Sequence, residues 1–367
     1  MFVQINETLF GDLWPYVEDD NVTDIKWNGT QLWITDLYKG RYMLRNEGGE
    51  PYVLDPEFIE IFCKRIANMV NENFNMSEPS LKAETIDLRI QAEHNSVSGD
   101  DTIAFTIRKT PCVSRLAGKD LVEEGYCNAI TQALLPCLMR AHCSGVITGD
   151  VGAGKTELEK YMSAFIPDTD GIVTVEDTLE MRLKTIYPDK DIYSMRITDS
   201  FTQEMAIKDA LRLLTKWLII AESRGRDIAR VMEGASTGCC ALTSIHAENT
   251  WEIPDRIMNM AGEDARAGFE NDVFTFFDYA IKVKATIDSK GVHRKIDQIS
   301  FFERNDKENR TVRFMINGKL TGNPIPMGIL EKIAANQNDP EFQKYEAAFL
   351  RLYKKEIELV RSARGGV

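Results

Sequence analysis

The sequence predicts a three-layer α/β domain preceded by a smaller mixed α+β domain. Two observations carry this. Short strands that are apolar along their whole length, "GIVTVED" and "WLIIAE", alternate with helical segments in the second part of the chain. That is the pattern of a parallel sheet covered on both faces. The first third instead carries short runs alternating apolar and polar residues around one amphipathic helix. At 367 residues the chain is long enough for about two hydrophobic cores.

The elements follow in order. "TDIKWNGTQLWITDLYKGRYML" holds two apolar-rich runs with "NGT" and "YKGR" as turn signals, so short antiparallel strands are expected. "DPEFIEIFCKRIANMVNENF" places Ile59, Phe62, Ile66, Met69 and Val70 on a helical repeat. "AETIDLRIQAEH" and "DDTIAFTIRKT" read as strands, the last ended by Pro111, which cannot extend a ladder. The α+β domain is placed at residues 1–112 and a linker at 113–130. The α/β domain, at 131–330, begins with the helix "CNAITQALLPCLMRAH" and the strand "SGVITG". "ALTSIHA" reads as a further strand, and "DYAIKVKATID", "HRKIDQISFFER" and "RTVRFMING" as an antiparallel appendage. The tail at 331–367 is helical, broken by "NDP" near Asp339.

Composition sets limits. Hydrophobic residues make up 43% and charged residues 28%, an ordinary globular balance. With 44 basic and 57 acidic residues the net charge is −13, which argues against a surface built to neutralise nucleic acid. No apolar run reaches about 18 residues and the start lacks the pattern of a secretory signal, so a cytoplasmic location is expected. The seven cysteines form no CxxC pair and are expected as reduced thiols, and no zinc-ligand cluster is present.

The chemistry begins at "GDVGAGKT", which fits G-x-x-x-x-G-K-[ST] from Gly149 to Thr156. Gly149, Asp150, Val151, Gly152, Ala153 and Gly154 would curl so that successive N–H groups face one anion. The helix opening near Lys155 adds a positive end. Lys155 would reach the β- and γ-phosphates of ATP, and the Thr156 hydroxyl would hold Mg²⁺. A strand before the loop and a helix after it supply the context the motif requires.

Three later segments, "GIVTVEDTLEMRL", "WLIIAESRG" and "STGCCALTSIHAEN", resemble in that order the Asp box, Walker B strand and His box of the secretion ATPase superfamily. Its members power type II and type IV secretion, conjugation and type IV pilus dynamics. "TDIKWNG" and "FTIRKT" resemble that family's N-terminal domain, and the tight-adherence pilus and conjugation branch looks closest. The resemblance implies a RecA-like P-loop core, ATP hydrolysis with Mg²⁺, a homohexameric ring and an inner-membrane platform protein as partner.

Glu176 and Glu222 each end an apolar strand, at the sheet edge where open α/β sheets bind ligands. One carboxylate can activate water while the other holds Mg²⁺. Glu176 is assigned to water and Glu222 to the metal, with the exchange left open. The resemblance points to Arg108 as an N-terminal-domain residue reaching the nucleotide, with Arg89, Arg182, Arg196 and Arg224 as weaker candidates, and to His246 as a γ-phosphate sensor. His94, His142 and His293 read as structural.

The chain departs from the family in four places. Cys239 and Cys240 follow Thr237-Gly238 where a second histidine is usual; Ala221 precedes Glu222 in place of glycine; Glu157 replaces a hydroxyl residue; and "TKW" replaces Pro-Asp. These changes imply a slow or partner-activated ATPase. Two rivals remain: a nucleic-acid translocase ring, and a nucleotide-binding regulator with little hydrolysis.

Overall fold

The computed structural model describes residues 5–364 except Arg224, Arg266, Lys290, 306–307 and 336–339; of 340–342 and 356–364 it describes the backbone alone. The break expected at Asp339 lies outside these residues. The chain forms two compact units: Met1–Cys112 with Thr286–His293, and Val113–Ala285 with Arg294–Val367.

The first unit is a six-stranded sheet of β1 (Val22–Trp27), β2 (Leu32–Asp36), β3 (Gly40–Met43), β4 (Ser80–Glu84), β5 (Leu88–Glu93) and β6 (Ala104–Lys109), in the order β3-β2-β1-β6-β5-β4. Each neighbouring pair is antiparallel. Side chains alternate across the pleat. Ile25, Trp27, Ile34, Ile90, Phe105 and Ile107 point to a core shared with Phe62 and Ile66 of the helix Pro56–Val70. Asp55 caps that helix by accepting the Glu57 N–H, and Asn71 ends it in the left-handed region. The same alternation leaves Lys26, Arg89, Gln91 and Arg108 out of the core, lining a shallow groove.

The second unit holds β7 (Gly145–Thr148), β8 (Ile172–Glu176), β9 (Ile192–Arg196), β10 (Trp217–Ile220), β11 (Cys240–Ser244), β12 (Tyr279–Asp288), β13 (Gly291–Arg304), β14 (Asn309–Ile316) and β15 (Lys319–Leu320). They form one sheet in the order β15-β14-β13-β12-β7-β11-β10-β8-β9. Strands β7 to β12 pair in parallel. Successive residues of one strand enter different cores. Ile219 joins the cluster of Leu134, Leu158 and Phe349, whereas Leu218 and Ile220 join that of Ile207, Ile228 and Ile257. Both faces are therefore covered, which is why these strands read as unbroken apolar runs.

Four strands differ from the sequence reading: "AETIDLRIQAEH" is split by a turn at Thr85–Asp87 into the end of β4 and the whole of β5, β15 is a further two-residue strand, and β9 and β12 also depart from it. β9 was missed, because an edge strand with Tyr193 and Arg196 exposed lacks an apolar run. β12 was expected in an appendage, yet it pairs in parallel with β7, Tyr279 to Lys282 against Gly145 to Thr148. Its first half is buried and its far half exposed, so alternation describes only part of its course.

Candidate functional site

Strand register assembles the site. Thr148 at the end of β7 lies next to the end of β11, where Ser244 pairs Ile147; Thr243 pairs Ile220 of β10; Ile220 pairs Val175 of β8. The residues that follow, Gly149, His246, Glu222 and Glu176, are thus delivered to one edge. Hydroxyl side chains stitch the loops there. Thr148 Oγ1 accepts from Ala247 N at 3.0 Å and donates to Ala247 O at 2.9 Å. Ser223 and Thr243 share a buried hydroxyl contact of 2.8 Å.

The loop itself needs its glycines. Gly149, Gly152 and Gly154 have φ of 148°, 77° and 100°, a region L side chains rarely adopt. A Cβ on Gly149 would also stand 2.2 Å from the Val283 carbonyl oxygen of β12. Gly154 leads into the helix Lys155–Ser163. Lys155 Nζ donates to the loop carbonyls of Gly149 (2.8 Å) and Asp150 (3.3 Å). Burial lowers its pKa, opposed by the charges of Glu222, Glu159 and Asp150. Asp150 and Val151 are exposed, Ala153 is buried and Thr156 stands half-buried in the first turn of the helix.

Glu176 is 1% exposed, and its Oε2 accepts the N–H groups of Glu180 (2.8 Å) and Met181 (2.9 Å). Burial raises its pKa to about 7 against those two donors. Glu222 has a 26%-exposed side chain, with Oε1 3.3 Å from His246 Nε2. Arg196 of β9 is in register with Glu176, and Arg182 takes the left-handed conformation before the short helix Leu183–Ile186. Arg224 lies outside the described residues. Arg108 and Arg89 belong to the first unit, directly opposite each other on β6 and β5, and Arg108 Nε donates to Asp24 at 2.8 Å.

The substituted positions have structural uses. Cys239 and Cys240 are buried, their thiols directed at the carbonyls of Lys216 and His142. Glu157 accepts the Arg115 N–H at 3.0 Å and the ammonium of buried Lys160 at 3.0 Å, holding the residues that follow the first unit. His142 binds Asp170 at 2.7 Å and stacks on Trp217. Two residues were overlooked. Glu159 is fully buried and neither carboxyl oxygen has a hydrogen-bond partner. Burial pushes its pKa well up, with Lys155 opposing and Glu176 and Glu222 adding to the rise. Its only sequence signal is an acid between Leu158 and Tyr161 in the helix after the loop. Arg294 of β13 donates from Nε to Gly152 O at 3.3 Å, and nothing local in "HRKIDQ" announces it.

The family model described as Type II/IV secretion system protein matches residues 80–299, more than half of the chain. An uncharacterized protein of Bacillus anthracis is 25% identical over 272 residues, covering 73% of this chain. The chain spans only 60% of that relative's length. A putative conjugal transfer protein of Mycobacterium tuberculosis is 22% identical, over 70% of this chain and 74% of that one. In fold, the X-ray structure of the Yersinia pseudotuberculosis ATPase DotB matches with a TM-score of 0.63 at 14% identity, over 100% of this chain and 92% of that chain. Among the described residues no helix is long and apolar enough to cross a membrane.

Proposed function

Given that the chain belongs to the type II/IV secretion system protein family, we propose that it is an ATP-hydrolysing motor of a secretion, conjugation or pilus-like machine. The observation that carries this is the glycine loop, braced by Lys155, at the sheet edge that also holds Glu176 and Glu222. The loop N–H groups hold the phosphates of ATP. Lys155 exchanges its loop carbonyls for the β- and γ-phosphates. The Thr156 hydroxyl and the Glu222 carboxylate are hard oxygen donors, a set that suits Mg²⁺, which would offset charge on the phosphates. Glu176 orients water and takes its proton, a role suited to a carboxyl titrating near neutrality. His246, touching Glu222, reports the state of the nucleotide.

In this reading six copies close a ring by repeating one head-to-tail contact, at the cytoplasmic face of an inner-membrane platform. The buried thiols where a second histidine is usual favour a second reading, a nucleotide-binding regulator with little turnover. Phosphate release from Mg·ATP, with Lys155→Ala as control and with platform-containing membranes or DNA added, separates them. The motor reading expects turnover in wild type, stimulation by membranes and none in the variant. Equal turnover in both chains would sink it. Light scattering with a non-hydrolysable analogue should give about six times the 41.6 kDa chain.

A further inference from the structure

The phosphate loop has an outer wall. Gly149 lies against the backbone of β12, so closely that a Cβ would meet Val283 O. On β13, Arg294 Nε donates to Gly152 O at 3.3 Å, and its Cδ would lie 3.6 Å from a Cβ on Gly154. One arginine thus bonds the loop at Gly152 and lies beside a second left-handed glycine, Gly154. From within, Lys155 holds the carbonyls of Gly149 and Asp150. Those two bonds must break when the ammonium turns to phosphate. The Arg294 bond lies on a different carbonyl and need not.

We propose that Arg294 is a positioning residue for nucleotide binding: it keeps the loop curled with its N–H groups convergent while Lys155 changes partners. This rests on the reading of the loop as a nucleotide site. A loop already in its binding shape binds phosphate without a further ordering cost. The planar guanidinium, with Nε and the two Nη groups on one rigid frame, suits a fixed donor better than a lysine ammonium.

The test uses the full chain, with Mg·ADP titrated by calorimetry and Mg·ATP turnover followed by phosphate release. Arg294→Ala should weaken Mg·ADP about tenfold, the scale of a hydrogen bond to a charged group. Turnover at saturating ATP should stay within about threefold. Amide hydrogen exchange across residues 150–156 should rise without nucleotide. Arg294→Lys keeps a cation on the strand and should recover only part of the affinity. Arg304→Ala, on the same strand and bonded to Asn309, removes an equal charge and should match wild type. Wild-type affinity and loop exchange in Arg294→Ala would overturn the proposal. So would a large loss of saturated turnover at unchanged affinity, which assigns the arginine to the transition state. Lys155→Ala tells the two readings apart: if it binds Mg·ADP like wild type, the loop is not a nucleotide site, whatever Arg294 does.

Discussion

The ends of β8 and β10 offer the same side chain to different surroundings. Both strands are apolar and parallel, in direct register; Glu176 is the last residue of β8 and Glu222 stands two residues beyond β10. Glu176 is 1% exposed and bonded to two backbone N–H groups. Glu222 is partly exposed and faces an imidazole. Burial moves the first to about 7, where it can accept a proton at neutral pH. Similar residues at the ends of neighbouring strands are thereby given different environments, which in the proposed reading would suit them to separate tasks.

The largest expected effect breaks the comparison directly. Glu176→Gln keeps the shape and the acceptor oxygen but loses the base. Turnover should fall about 10²–10⁴-fold while Mg·ATP still binds. If Glu222→Gln shows that signature instead, the two roles exchange.

Stability against pH sharpens it. The folded pKa of Glu176 lies above the unfolded value near 4.5, so the folded state binds the extra proton between them. Its contribution is fully present below 4.5 and is lost as pH rises through about 7. The loss is about 3 kcal/mol at about 1.4 per unit. Denaturation of wild type and Glu176→Gln should agree near pH 4.5 and diverge in favour of the variant by pH 8. A constant difference across that range would mean the carboxyl is already ionised when folded.

A smaller change is expected at the exposed end of the pair. Glu222→Gln should raise the Mg²⁺ concentration for half-maximal turnover about tenfold, since a hard cation loses one charged oxygen ligand. An unchanged Mg²⁺ requirement removes Glu222 from the metal.

The smallest effect concerns its neighbour. His246→Ala should leave ATP affinity within about threefold and cut turnover several-fold, because only the imidazole can bond a phosphate or relay to Glu222. Cys239→Ala, a buried thiol aimed at a main-chain carbonyl, should leave turnover alone. A silent His246 with a sensitive Cys239 would mean that the His box is misaligned on this chain.

What the sequence determined by itself is local. Loop spacing, an unbroken apolar strand and the polar residue after it are set by neighbours along the chain. So the glycine loop, the positions of Glu176 and Glu222 at strand ends and the parallel core were all legible, as was the antiparallel sheet of the first unit. What only the tertiary structure decided depends on what comes alongside from far away. The proton affinity of Glu176 follows from the burial of its strand end between β9 and β10, which come from other parts of the chain. Glu159 became a buried acid through packing around its helix, and β12 became part of the parallel sheet by pairing with a strand well over a hundred residues earlier. Arg294 reached Gly152 across 142 positions of sequence. Desolvation and long-range hydrogen bonding are properties of an assembled interior, and no window along the chain contains both partners.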